Sequence, residues 1–402
     1  MLFLKNLMLL IASFSLSWAA FAGAWFKGDL HAHSRHSLDA SASVSSILKR
    51  VESLGFDYFV LTEHDGSMKN GPKEQWEDPK YTSSKMALLY GAEWSTKKGH
   101  ANIWNSSPYP YEGIWQARLN LDAQKSYDLA NSYGAVFSVN HPYNPKYGWK
   151  YPLTPNSLDS MEVWNSMFRF YNHNEWAINK LWDGLLMQGK RVSAVGGSDA
   201  HHLRGLYSWF FSYGNPTTWV YADEKTPESI LKGIRQGHAV ISYGPFAPRI
   251  NMKAGPQDDG NYNVIIGDNI KKFAGVLNLR ISVEYANSKE AQSPDTLVSI
   301  DEVTQSEVRA LESGKIPIKS FLKNLDKAIK RPIGVFKNGK LFKVWKVSGN
   351  VTHLDFQDQI ASGEMVYYRV ELLGWPSLSI IRKLLYGFVI SMSNPIYVNY
   401  PE

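Results

Sequence analysis

Between Trp25 and about Gly244 the chain alternates short apolar runs with stretches in which apolar residues recur every three or four positions. The runs YFVLTEHD, ALLYGAEW, AVFSVNHP, MEVWNS and VSAVGGSDAHH open on strand-forming residues and close on polar ones, which predicts strands whose ends carry reactive side chains. In SVSSILKRVESLG, Val44, Ile47, Leu48, Val51 and Leu54 fall on one helical face and Gly55 is a stop. In TPESILKGIRQG, Thr226 is a ready N-cap, Pro227 suits the first helical position and Gly237 the terminus. Such alternation predicts an α/β barrel or an open parallel sheet.

Beyond about Phe246 the helical spacing gives way to strand patterns. LNLRISVEY, IGVFKNGKLFKVW, EMVYYRVELLG and FVISMSNPIYVNY are separated by turn residues, and Asn338-Gly339 predicts a tight hairpin. The expectation is a smaller, mostly antiparallel β-sandwich over residues 246–402. The charged stretch from Glu302 to Lys330 reads as a solvated helix or loop. The first residues follow another pattern: Lys5, an apolar centre from Leu7 to Leu16, then Ala20-Phe21-Ala22. This is the layout of a secretory signal, with residues 1–22 removed and a mature chain starting at Gly23. No comparable apolar segment follows, so a periplasmic or secreted protein without a membrane span is expected, with residues 23–245 as its first unit.

A length of 402 residues suits two folded units, and 44% hydrophobic with 20% charged residues is ordinary for a globular chain. The formal charge of +6 is spread along the sequence, which gives no nucleic-acid footprint and mildly favours anionic small molecules. There are no cysteines, so disulfides and thiolate metal sites are excluded and any metal must be held by His, Asp and Glu.

Such residues stand at the predicted strand ends. GDLHAHSRHSLDAS brings His31, His33 and Asp39; further on come His64, Glu93, His100, His141, Asp199 and His201. In a barrel of parallel strands the C-terminal ends converge, so these nine groups would meet. They exceed the needs of one ion and fit two or three divalent ions, Zn²⁺, Mn²⁺ or Fe²⁺, with positions left for water. His36, His173, His238 and His353 lie off the pattern and read as surface or structural residues; His202 is the exception to watch. Arg204 could clamp a substrate oxyanion, and Tyr143 and Asn165 could line the pocket.

Carried by DLHAH, Ser37-Leu38-Asp39, TEHD, GAEW, Gly99-His100, NHP and SDAH, the chain resembles the PHP superfamily, named for polymerase and histidinol phosphatase domains. The continuation through GIRQGHAVISYGP to SNPIYV resembles the carbaryl-hydrolase-like group within it. The resemblance implies a distorted (β/α)7 barrel from about Gly28 to Gly244 and a trinuclear centre. It implies a first ion on His31, His33, Glu93 and Asp199, a second bridged by Glu93 and held by His100 and His141, and a third on Asp39, His64 and His201. Many members have Asp where this chain has Glu63, and an Asp one place before Asp39.

The expected reaction is hydrolysis of phosphate mono- or diesters by a metal-bound hydroxide, with Glu93, His201 and Arg204 as catalytic candidates and a small ester as partner. A carbamate or carboxylic-ester hydrolase would need no different ligands. A third reading, from another class, is a non-catalytic surface-glycan-binding protein.

Overall fold

The structure, a computed structural model, describes residues 23–154, 157–165, 181–204, 212–256, 260–284, 301–302, 331–347, 353–373 and 389–401. The expected signal segment, His173 and nearly all of the charged stretch from Glu302 to Lys330 lie outside the described residues.

The first half contains strands β1 (Ala24–Asp29), β2 (Tyr58–Leu61), β3 (Ala87–Thr96), β4 (Gly99–Asn105), β5 (Val136–Val139), β6 (Ser160–Asn165), β7 (Ser193–Gly197), β8 (Thr217–Ala222) and β9 (Ala239–Ser242). Helices α1 (Val44–Ser53), α2 (Lys73–Trp76), α3 (Glu112–Leu119), α4 (Ala123–Ser132), α5 (Asp183–Met187) and α6 (Pro227–Gln236) lie between them. The second half is made of β10 (Arg249–Gly255), β11 (Val264–Ile265), β12 (Asn269–Ile270), β13 (Gly275–Glu284), β14 (Asp301–Glu302), β15 (Arg331–Lys337), β16 (Lys340–Val347), β17 (Leu354–Ile360), β18 (Val366–Leu373), β19 (Val389–Ser393) and β20 (Ile396–Val398).

Local chemistry explains the helix ends. Ser43 caps α1 by accepting from the Ser46 amide, and Val44, Ile47, Leu48 and Val51 are buried. Thr226 caps α6 by accepting from the Ser229 amide, and Gly237 closes it in the left-handed conformation, φ 74°. Asn338 and Gly339, at φ 50° and 76°, form the turn between β15 and β16.

The architecture is mixed α/β with one large sheet, and the strands do not close into the expected distorted (β/α)7 barrel. One sixteen-stranded sheet runs β14-β16-β15-β18-β19-β9-β8-β1-β2-β3-β4-β5-β6-β7, with β12 and β20 joined at its side, and it does not close. β1, β2 and β3 pair in parallel, as do β5, β6 and β7, but β4, between β3 and β5, is antiparallel to both. The cause is the short turn at Lys97 and Lys98, which sends the chain straight back; a parallel neighbour would need a crossover of a dozen residues or more. The free edge of β1 is taken by β8, antiparallel. β1 and β7 meet beyond their ends, in an isolated parallel bridge between Ala32 and Ala200.

A second sheet, β11-β10-β13-β17, is antiparallel throughout. It faces the C-terminal part of the large sheet through Ile250, Met252, Leu279, Ile281, Val335, Val370 and Leu372, all fully buried. The ladder itself crosses the expected domain boundary, because β19 pairs with β9. Asn394, just after β19, reinforces the junction: its side chain accepts from the Ala194 amide of β7 at 2.7 Å and donates to the carbonyls of Ala194 and Ala239. Among the described residues no helix is long and apolar enough to cross a membrane.

Candidate metal centre

The nine sequence-predicted donors come together where β1, β2, β3, β5 and β7 end, with β4 adding His100 from the hairpin. Glu93 is the hub. Its Oε1 lies 3.1 Å from His100 Nδ1 and 3.4 Å from both His31 Nε2 and His141 Nε2; its Oε2 lies 2.7 Å from His64 Nδ1 and 3.6 Å from His33 Nε2. Register explains the His100 contact: Ser95 pairs with His100 and Glu93 with Asn102, so Glu93 and His100 are diagonal neighbours on one sheet face. Asp199 Oδ1 lies 3.3 Å from His31 Nε2 and 3.2 Å from His33 Nε2. On the solvent side Asp39, 57% exposed, stands between His64 Nε2 at 3.3 Å and His201 Nε2 at 3.4 Å.

The imidazoles are oriented from behind. Ser37 has one hydroxyl proton, which it donates to Glu63 Oε2 at 2.6 Å, so it can only accept from His33 Nδ1 at 3.2 Å. His33 Nε2 is therefore a lone pair. Glu162 Oε1 accepts from His31 Nδ1 at 3.0 Å, and the Asp199 carbonyl accepts from His201 Nδ1 at 2.8 Å, which turns those Nε2 atoms inward as well. Glu63, the departure from the resemblance, sits behind the donors: it accepts from the Ser34 amide and Ser37 and holds the loop that carries them.

Sequence reasoning missed Glu162. It is buried in the middle of β6 and accepts through Oε2 from the His141 amide at 2.9 Å and from Asn165 Nδ2 at 3.0 Å, and so ties His31 and His141 together. Its signal was a carboxylate inside the apolar run MEVWNS. The approach requires a glycine at 197, where an added Cβ would come within 2.4 Å of both Glu162 Oε1 and His31 Cβ.

Charge is concentrated here against the cost of burial. Burial opposes ionisation of Glu93, yet His64, His100 and His31 hold it well below the usual carboxylate range. Asp199 is held low in the same way by His31, His33 and His201. Burial pushes His33 down to about 3, assisted by His201 and His64, whereas Glu93 and Asp39 outweigh burial at His64 and raise it. Burial lowers His100.

The donor set fits divalent cations. Three groups of ligand atoms each lie within 4.8 Å of one another: His33, His64 and His201; His31, His33 and Asp199; and His64, Glu93 and His100. His31 Nε2 and His33 Nε2 are buried without a hydrogen-bond partner. A buried lone pair aimed at carboxylate oxygens is repulsive unless positive charge lies between them. His141 and Asp199 also hold backbone at positive φ, 25° and 51°, a local cost of the kind found at functional sites.

The donors face a cavity of about 310 Å³ whose walls include Asn144, Tyr147 and His202. His202 pairs through Nδ1 with Ser41 Oγ at 2.8 Å. Asn165 is buried behind the donors, and Tyr143 is half-buried on the loop after β5. Arg204 is exposed on the loop beyond His202, outside the described lining of this cavity, and has no ion pair among the described residues. His36 and His238 pair with Asp78 and Asp268, each at 3.0 Å, and His353 is exposed in the second half.

Neither a family model nor a curated protein matches the chain. Among solved structures, it is similar to a two-domain protein from Bacteroides vulgatus containing a predicted PHP-like metal-dependent phosphoesterase, with TM-score 0.42, 14% identity, and 88% of this chain and 91% of that one covered. A second similarity is to Endonuclease Q, solved with a 27-mer duplex carrying an abasic lesion: TM-score 0.38, 15% identity, 53% and 57% covered. A third is to a protein from Bifidobacterium adolescentis assigned as a metal-dependent phosphoesterase, with TM-score 0.32, 14% identity, and 43% and 87% covered. All three likenesses are remote.

Proposed function

We propose that the chain is an exported metal-dependent phosphoesterase of the PHP superfamily, in its carbaryl-hydrolase-like group, working on small phosphate mono- or diesters. The observation that carries the metal reading is the convergence of His31 Nε2 and His33 Nε2, buried and without hydrogen-bond partners, on the carboxylates of Glu93 and Asp199. His31, His33, Glu93 and Asp199 would hold one ion, Glu93 with His100 and His141 a second, and Asp39, His64 and His201 a third. Divalent ions there supply Lewis acidity toward phosphoryl oxygens and make water a stronger acid.

The protein's part is positioning. Glu162, Ser37 and the Asp199 carbonyl fix the imidazoles, while Asn144 and Tyr147 wall the space left for the ester. Hydrolysis consumes one water: its oxygen bonds to phosphorus, the P–O bond to the leaving group breaks, and the leaving oxygen takes a proton. His201, partly exposed beside Asp39, would help hold the third ion at the solvent side of the cluster.

The test joins elemental analysis and anomalous scattering with kcat/KM for an aryl phosphate, a phosphodiester and an aryl carbamate. Two or three ions per chain, with a phosphate ester turned over at least about tenfold faster than the carbamate, is the expected result. Faster carbamate turnover would replace this reading with the carbamate hydrolase. Bound metal with no hydrolysis at all would leave a binding protein.

A further inference from the structure

A second cavity of about 350 Å³ opens beside the first, and His100 and Tyr147 belong to the walls of both. Tyr147 leans on His100, ring centroids 5.0 Å apart at 33°. On the far side the wall is formed by Lys97, Arg118, Leu119 and Leu121, and no carboxylate is among the described residues lining it. Lys97 is exposed in the turn between β3 and β4. Leu119 is 54% exposed, an apolar surface beside two cations.

Arg118 is fixed in place. Its Nε donates to the Ser95 carbonyl at 2.9 Å and lies 2.8 Å from Asp65 Oδ1 in an ion pair, and its guanidinium lies 4.6 Å from the Trp115 ring centre. Asp65 is fully buried and accepts as well from Tyr111 Oη at 3.0 Å. That carboxylate offsets the charge of Arg118, so Lys97 supplies the positive charge that an incoming anion would meet.

We infer that this cavity receives the leaving group of the substrate and selects one with an apolar or aromatic body carrying a second anionic group. The inference rests on the phosphoesterase reading of the adjoining centre. With phosphorus over the donors, the leaving oxygen points past His100, its apolar body lies on Tyr147, Leu119 and Leu121, and its anion reaches Lys97.

The experiment is calorimetric titration of the metal-loaded protein with phenylphosphonate and 4-carboxyphenylphosphonate, neither of which can be hydrolysed, repeated on Lys97→Ala and Lys97→Glu. Lys97 is on an exposed turn, so both variants should fold. The carboxylated ligand is expected to bind at least about tenfold tighter to the wild type, with that preference reduced to near unity in Lys97→Ala and reversed in Lys97→Glu. Equal affinity for the two ligands in the wild type, no binding of either, or a preference that survives in Lys97→Glu would overturn the inference. A preference that follows the variants in a protein inactive on phosphate esters would uphold the anion subsite and remove the phosphoesterase reading instead.

Discussion

Two regions of this protein bury charge, and they treat it in opposite ways. At one end Arg369, fully buried, donates from Nε and from a terminal nitrogen to the two oxygens of Asp183, at 3.0 and 2.8 Å, and from the other terminal nitrogen to Glu371; Tyr367 Oη donates to the same aspartate. Each carboxylate there has its donors, and the guanidinium lies over the Phe336 ring at 4.1 Å. Around Glu93 the polar atoms are as deeply buried, yet His31 Nε2 and His33 Nε2 find no hydrogen-bond partner there. The first arrangement is complete and holds structure together; the second is a socket. Burial of charge alone therefore distinguishes nothing, whereas the hydrogen-bond account of each atom does.

The comparison breaks most sharply at its two centres. Glu93→Gln removes the hub charge and is expected to lose bound metal and lower kcat/KM at least about a thousandfold while the circular dichroism spectrum stays native, checked by elemental analysis and steady-state kinetics. If metal content stays unchanged in that variant, the socket reading falls. Arg369→Ala should do the reverse: about 3–5 kcal/mol of stability lost in urea unfolding, because Asp183 and Glu371 are left buried and unpaired, with metal per folded molecule preserved. Loss of metal in step with Arg369 would merge the two regions into one. Glu162→Gln sharpens the contrast on a finer scale, since it removes the negative charge and one of the two acceptor oxygens that serve His31 and the His141 amide; metal affinity, measured by competition with a chromophoric chelator, is expected to weaken by about ten- to a hundredfold.

What could be read from the chain follows the range of the interactions. Ser43, Thr226 and Gly237 end their helices through bonds within four residues, and Asn338-Gly339 turns through its own dihedral angles, so the local pattern suffices for each. The donors were legible because chemically unusual residues recur after apolar runs. Glu162 was not, since what makes it matter is contact with His31 across 131 residues, while its own neighbours look like ordinary strand. The antiparallel run β3-β4-β5 was hidden for a similar reason: a two-lysine turn looks like any polar loop until Glu93 and His100 are seen side by side. The open ladder was least accessible, because pairing of β9 with β19 joins positions some 150 residues apart whose strand patterns name no partner.

That last pairing sets an order of events during synthesis. The Asn394 side chain bonds the backbone of Ala194 in β7, only five residues before Asp199, and β19 covers the edge of β9. While the chain is still being made, every candidate ligand has left the ribosome long before the residues that secure the sheet behind them. Until β19 pairs with it, β9 presents an uncovered strand edge in the half that carries the candidate ligands.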